Sequence, residues 1–456
     1  MPPPKGKPAK PSTNGTAPTK GEPERLPAYF LSLTVENVRC FGPKQTLDLS
    51  DGNGKPAPWT IILGQNGTGK TTLLQSLVGF EIVTTPPIFA GNTLPRFFLS
   101  LPRVLLSRDL NTLTTELKTE ISTGSSVGEE PEHVLTFTYQ QNGTHRRNDS
   151  IPLAASITPW CCAYGVSRRF GSEPLNPEVD DSTATLFSDH AELRKPEEWL
   201  LQLDYASAKT NDKDAQHRLA QVKELLLAIM PEDEITDIRC EAGSGLHPKP
   251  RVEFHTPYGW VPLRQLGYGY QTLITWVADL ANRMAERYPD SKNPLAEPSV
   301  VLVDEIDLHL HPKWQRKLMS FLTERFPNTQ FIATAHSPLV VQAAADANLA
   351  VLRREGDHVV IDNEVDNIRN WRVDQILTSD LFGLETARPP QIEALMLERK
   401  ALLTKPKLNA TDKKRLAEVE AKMGELPMGE TTQEIEERRR MLELLESLAK
   451  ERKVAP

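Results

Sequence analysis

The residues best equipped for chemistry are a lysine and a threonine that close a glycine-rich run, Gly64-Gln65-Asn66-Gly67-Thr68-Gly69-Lys70-Thr71-Thr72. Their spacing is G-x-x-x-x-G-K-[ST]. Glycine tolerates the backbone angles that let a loop close around phosphate oxygens, and the N–H groups of a following helix point at the anion. Gly64, Asn66, Gly67, Thr68, Gly69 and Thr72 are therefore expected to cradle phosphates. Lys70 can reach the outer phosphates of a nucleotide, and the Thr71 hydroxyl can ligate Mg2+. Such a loop works only between a strand and a helix. The apolar run Thr60 to Leu63 predicts the strand, and Leu73, Leu74, Leu77 and Val78 predict the helix.

Three later stretches carry complementary chemistry. Val300-Val301-Leu302-Val303-Asp304-Glu305 reads as a buried strand ending in two acids. Asp304 at its tip can hold Mg2+ through water, and Glu305 can polarise an attacking water. Gln330-Phe331-Ile332-Ala333-Thr334-Ala335-His336-Ser337 is a second buried strand. Its histidine lies at the C-terminal end, the edge where ligands bind in open parallel sheets. His336 can there meet the γ-phosphate or the attacking water. Leu266-Gly267-Tyr268-Gly269-Tyr270-Gln271 opens an amphipathic helix (Leu273, Ile274, Val277, Leu280), so the N–H groups around Gly267, Tyr268 and Gly269 face outward to an anion.

The remaining chain must position these pieces. Its 456 residues, 39% hydrophobic and 25% charged, suit a globular protein of two or three domains' worth of core. A net charge of −8 restricts any DNA contact to a local basic patch. No apolar run reaches the length of a membrane span, and four cysteines show neither metal-site spacing nor scaffold density, which fits a reducing cytoplasm. Residues 1–26, rich in Pro, Lys, Gly, Ser and Thr, are expected to be a disordered tail. The stretches from Phe30 to Val38 and from Gln45 to Leu49 predict a hairpin just before the loop, with Arg39 and Phe41 at its tip. Leu105 to Lys118 suits helix or strand, and Val134 to Tyr139 suits a strand. Trp160 to Val166 predicts a buried strand leading to Arg168 and Arg169, a pair that can meet phosphate or carboxylates or simply face water. Helices follow at about 195–232. Roughly 30 residues at about 1.5 Å each reach only about 45 Å, which excludes long coiled-coil arms. After the strands Ala350 to Leu352 and His358 to Ile361, Trp371 to Leu377 predicts a closing helix. Residues 387–456 predict charged helices: Gln391 to Leu403, Asp412 to Met423 and Gln433 to Lys450.

Together these pieces resemble the ATP-binding cassette ATPases, and more narrowly their soluble RecF/SMC/OLD-like branch. Asp304-Glu305-Ile306-Asp307-Leu308-His309-Leu310-His311-Pro312 and Thr334-Ala335-His336-Ser337-Pro338 carry the resemblance, as does the opening Val35-Glu36-Asn37-Val38-Arg39-Cys40-Phe41. The resemblance implies an α/β fold: a P-loop ATPase head over residues 27–386, with a mixed sheet, flanking helices, an N-terminal antiparallel β subdomain and a short helical insert, and then a helical tail over 387–456. It implies ATP and Mg2+ as ligands and nucleotide contact by Arg39. It also implies a homodimer or higher even oligomer, in which Gly267 to Gly269 cap the nucleotide of the opposite head. One departure is plain: the family's Leu-Ser-x-Gly-x-Gln signature has Gly267 in place of its serine, so a hydroxyl donor is missing, and either a weaker ATP-driven closure or a slow turnover is expected. The build is similar to the ATPase subunits of anti-phage systems such as Septu, including those attached to retrons. The expected function is then a regulatory ATPase that senses DNA or a phage trigger and controls a separate nuclease effector of the HNH type, since no nuclease motif is seen. A RecF-like DNA-repair ATPase is the alternative. A transporter subunit fits less well, because Ile306 stands where transporter ATPases usually have proline.

Overall fold

The computed structural model describes residues 28–36, 38–78, 82–84, 97–99, 116–123, 133–141, 145–147, 160–170, 181–210, 213–230, 234–243, 249–365, 368, 370–384, 386–405 and 409–423. The chain divides into two compact units, Met1–Asn367 and Ile368–Pro456.

The first unit is built on a six-stranded sheet in the order His358–Asp362, Asn348–Glu355, Trp59–Gly64, Thr329–Thr334, Ser299–Val303, Cys161–Tyr164. Only the first pair is antiparallel; the other neighbours run parallel. The central segments Trp-Thr-Ile-Ile-Leu-Gly, Ser-Val-Val-Leu-Val and Thr-Gln-Phe-Ile-Ala-Thr are buried almost throughout. That is the composition of strands covered on both faces. Because the strands are parallel, the ends of Trp59–Gly64, Ser299–Val303 and Thr329–Thr334 emerge on one edge. The phosphate loop, the Asp-Glu pair and the histidine are thus brought side by side, although 233 residues separate Thr71 from Asp304.

Helices complete that edge. Lys70–Val78 follows the loop, with Leu73, Leu74, Leu77 and Val78 buried. Tyr268–Arg287 is buried continuously from Thr272 to Met284. Pro312–Arg325 follows the acidic turn and buries Trp314, Leu318, Met319 and Leu322, one stripe of an amphipathic helix. Pro338–Ala343 follows His336; Pro338 takes the first helical position and Ser337 Oγ accepts from Leu339 N.

The expected N-terminal antiparallel sheet is present, in the order Gln45–Asp48, Ala28–Glu36, Glu116–Thr123, His133–Gln141, His145–Arg147. A buried glutamine ties it to the core. Gln330 Oε1 accepts from Phe30 N, and Gln330 Nε2 donates to Phe30 O, each at 2.8 Å. The ambiguous stretch from Leu105 is a strand where it is described, from Glu116, with residues 105–115 outside the described set. The insert is a helix pair, Pro196–Thr210 and Lys213–Ala228. A three-stranded meander, Asp237–Glu241, Arg251–Thr256 and Gly259–Pro262, follows.

In the second unit, Val373–Leu377 forms a short helix in which Ile376 is fully buried. The helix the sequence predicts over Trp371 to Leu377 is present as Val373–Leu377. Leu384 N bonds back to Leu377 O, which folds the segment onto itself. Helices Pro390–Leu403 and Ala410–Met423 form a hairpin, stitched by Arg415–Glu398, Arg399–Glu420 and Lys405–Asp412. Leu402 and Val419 are buried there among the described residues, while Met396, Leu397 and Leu403 are exposed among the charged side chains. The expected tail 1–26 and the last expected helix, Gln433 to Lys450, lie outside the described residues.

Candidate nucleotide-binding site

The loop conformation follows from its glycines. Gly64, Gly67 and Gly69 take φ of +151°, +79° and +90°, which L side chains rarely adopt. Gly69 also lacks room for a side chain: a Cβ there would overlap Cys40 Sγ and stand 2.9 Å and 3.0 Å from carbons of the buried Phe41 ring. Thr68 closes the turn, its Oγ1 donating to Gln65 O at 2.8 Å. Lys70 is nearly buried, and its ammonium donates to the Gly64 and Gln65 carbonyls at 2.8 and 3.0 Å. Burial pulls its pKa below an amine's usual value, while the carboxylates of Asp304, Glu305 and Asp307 push back. The first N–H groups of an α-helix have no intrahelical partner, so those of the helix beginning at Lys70 can turn to phosphate.

Asp304 is the hub. It is 2% exposed; its Oδ2 accepts from Thr71 Oγ1 and its Oδ1 from Thr334 Oγ1, each at 2.6 Å. The Thr334 hydroxyl in turn accepts from Glu305 N at 2.7 Å. Glu305 is left-handed (φ +48°), a conformation that turns the chain sharply at the strand end. Its Oε1 stands 3.9 Å from His336 Nε2, too far for a hydrogen bond. Asp307 Oδ2 accepts from His336 N at 3.0 Å and fixes the histidine's backbone. His336 Nε2 and Asp307 Oδ1 are buried without a hydrogen-bond partner among the described residues. Two orphaned polar atoms beside an acid pair mark a place prepared for a polar guest.

The residues fit a magnesium nucleotide. Mg2+ takes one or two protein oxygens and completes its shell with phosphate and water. Thr71 Oγ1 and Asp304 Oδ2, 2.6 Å apart, are such a pair. No group of three or more His, Cys, Asp or Glu suited to an all-protein metal site occurs among the described residues.

Arg39 (φ +47°) sits in the turn where Val38 bridges Phe41. Its Nη1 donates to Thr72 Oγ1 at 3.1 Å and to Gln75 Oε1 at 3.2 Å, so the arginine grips the first turns of the phosphate-loop helix. Gly267 is the N-cap of helix Tyr268–Arg287. Gly269 packs so closely on the His309 carbonyl that a Cβ would overlap it, and Tyr268 meets the His309 ring edge-on at 4.8 Å. The signature stretch is thus braced against the segment that follows Glu305 in its own chain.

Three side chains at this edge are not picked out as site residues by motif spacing. Thr334 is the last residue of its strand, where pairing with Ser299–Val303 brings it to Asp304. Asp307 is one of several polar residues in its turn. Arg168 belongs to the pair left between ligand contact and solvent, and it is neither: 2% exposed, it donates to main-chain carbonyls of the acid pair. Burial pushes its guanidinium down to about 10, against the pull of Asp304, Asp307 and Glu305, so it stays cationic at neutral pH. Arg169 is exposed, as the solvent reading has it.

Among the described residues, no helix is long and apolar enough to cross a membrane. The chain matches, over residues 60–342, the family described as "AAA domain, putative AbiEii toxin, Type IV TA system". It is similar to the Septu protein PtuA of Bacillus mycoides, 25% identical over 89% of this chain and 52% of that protein. It is also similar to the retron Ec83 probable ATPase of Escherichia coli, 34% identical over 33% of this chain and 27% of that protein. The match thus spans about half the length of the first relative and less of the second. The SMC head domain from Thermotoga maritima aligns with a TM-score of 0.39 and 15% identity over 74% of this chain and all of that one. The chain belongs to this AAA-domain family, and within it is similar to the Septu protein PtuA and to a retron probable ATPase.

Proposed function

We propose that the chain binds and hydrolyses ATP as the regulatory subunit of an anti-phage defence complex, and that it controls a separate nuclease effector of the HNH type. The observation that carries hydrolysis is the hydrogen-bonded line Thr71–Asp304–Thr334–Glu305, with His336 Nε2 unpartnered 3.9 Å from the Glu305 carboxylate. Lys70 leaves the Gly64 and Gln65 carbonyls for phosphate oxygens as the loop N–H groups wrap the anion. Thr71 and Asp304 would hold Mg2+, which when bound would draw charge off the transferred phosphoryl group. Glu305 orients and polarises the attacking water, and His336 meets the γ-phosphate. Arg39 steadies the helix start from which Lys70 and Thr71 project. Gly267 to Gly269 present helix N–H groups to the nucleotide of a second head, without the usual hydroxyl, and turnover is slow.

The defence role is supported by the relatives, which are named Septu protein PtuA and retron Ec83 probable ATPase. Phosphate release from ATP by the purified chain, with Mg2+ and with EDTA, tests hydrolysis. Glu305→Gln is expected to keep nucleotide binding and to lose turnover by about 10²-fold or more. Mass in solution with Mg-ATP tests the two-head site: Glu305→Gln is expected to be trapped as a dimer or larger even assembly. Turnover unaffected by Glu305→Gln refutes the catalytic assignment. Nuclease activity from this chain alone, independent of Glu305, refutes the regulatory one.

A further inference from the structure

The strand Cys161–Tyr164 lies beside Ser299–Val303 and ends in the turn Gly165-Val166-Ser167-Arg168. This turn is clamped. Gly165 has no room for a Cβ, which would run into the Thr185 carbonyl, and its N–H donates to Thr185 Oγ1 at 3.2 Å. Arg168 is held at φ +33°, and its Nε donates back to Gly165 O at 3.0 Å. So aimed, Nη2 donates to Glu305 O at 2.7 Å and also reaches Asp304 O. Every hydrogen bond described for this buried guanidinium ends on a main-chain carbonyl, and two of the three carbonyls belong to the acid pair. Glu305 keeps a left-handed backbone that a side-chain-bearing residue does not hold unaided. Thr334 Oγ1 fixes that backbone at its N–H and Arg168 fixes it at its carbonyl.

We propose that Arg168 is a positioning residue for hydrolysis: from behind the acid pair, its forked guanidinium holds the Glu305 main chain in the left-handed turn that aims the carboxylate at the attacking water. The inference rests on Glu305 being the water-activating group. An arginine is needed because one planar fork must serve carbonyls on two sides while keeping a positive charge beneath three carboxylates; a lysine ammonium lacks the fork. Arg168 makes no contact with the phosphate loop among the hydrogen bonds described, so its loss should leave nucleotide affinity in place and impair the chemical step.

The test compares wild type, Arg168→Met, Arg168→Lys, Glu305→Gln and the double variant Arg168→Met/Glu305→Gln in steady-state ATP turnover. Stabilisation by Mg-ATP in a thermal melt verifies that each is folded and loaded. Arg168→Met is expected to lower kcat by about 10²-fold with KM for ATP unchanged, the size of effect a misplaced catalytic group produces. Arg168→Lys should fall between Met and wild type. In the Glu305→Gln background, Arg168→Met should cost nothing further, because the two act as one unit. A wild-type kcat in Arg168→Met, a change in KM alone, or an undiminished effect in the Glu305→Gln background overturns the proposal and leaves the ATPase reading standing. If wild type itself releases no phosphate, the ATPase reading fails and this inference fails with it. Should Arg168→Met not fold, the same split and the same double variant are read in Arg168→Lys.

Discussion

Replacing Gly69 with alanine probes the phosphate loop at its tightest point. Two separate costs act there. A residue with a Cβ held at φ +90° costs about 1–3 kcal/mol in backbone strain. The new methyl would also overlap Cys40 Sγ and press on the Phe41 ring, which is fully buried in the core beneath the hairpin. Overpacking of this kind costs a further ~1–3 kcal/mol, so the sum is about 2–6 kcal/mol, a large part of the stability of an ordinary domain. Gly67 supplies the control. Its φ of +79° imposes similar strain, but nothing lies within 4 Å of its missing Cβ, so Gly67→Ala should cost only about 1–3 kcal/mol. Urea unfolding of both variants and wild type, read as a change in midpoint at constant slope, measures the difference. Cys40→Ala introduced into Gly69→Ala should recover part of the loss by removing the overlapping sulfur, with Phe41 holding back the rest. Equal destabilisation by Gly67→Ala and Gly69→Ala would refute the reasoning, because it would leave no energetic role for the packing of Cys40 and Phe41 on the loop.

Thr334→Val keeps the shape of the side chain and removes both of its hydrogen bonds, to Asp304 Oδ1 and from Glu305 N. It should cost about 2–4 kcal/mol of stability in denaturant titration and slow ATP turnover more than it weakens ATP binding. Gln330→Leu leaves the buried N–H and carbonyl of Phe30 without partners and should destabilise the chain by about 2–6 kcal/mol in the same titration; a neutral result would mean that Gln330 does not hold the N-terminal sheet to the core. The Tyr164 hydroxyl, fully buried and donating to Asp279 at 3.0 Å, has a pKa well above the phenol value, first through burial and then through the Asp279 charge. Its folded pKa lies above its unfolded one, so its contribution is intact below pH of about 10 and is lost as pH rises beyond that, because the unfolded chain ionises first. The unfolding midpoint followed from pH 8 to about 11 should therefore fall at the alkaline end, and Tyr164→Phe should flatten that fall.

Local chemistry determined more of this protein than long-range pairing did. The phosphate loop is legible because its conformation is carried by the residues themselves: glycines supply the positive φ angles, an apolar run supplies the strand, and apolar periodicity supplies the helix. The same holds for Asp304, Glu305 and His336, each placed at the end of a buried strand by a hydrophobic run that stops at a polar residue. It holds as well for the helix pair of the insert and the charged hairpin of the tail, whose apolar spacing is helical. Tertiary structure alone decided what those ends touch. Arg39 reaches Thr72 and Gln75 from 33 and 36 residues away, and Gln330 reaches Phe30 across 300. Thr334 is one threonine among many until parallel pairing sets it beside Asp304. Arg168 reads in the sequence as half of a pair that meets phosphate or carboxylates or faces water, yet its partners are main-chain carbonyls, which any sequence possesses. A bond to a carbonyl leaves no mark in the identity of the residue that accepts it. Periodicity and turn chemistry act over a few residues and can be read along the chain, whereas the register of parallel strands and the bonds made across it exist only once the sheet has closed.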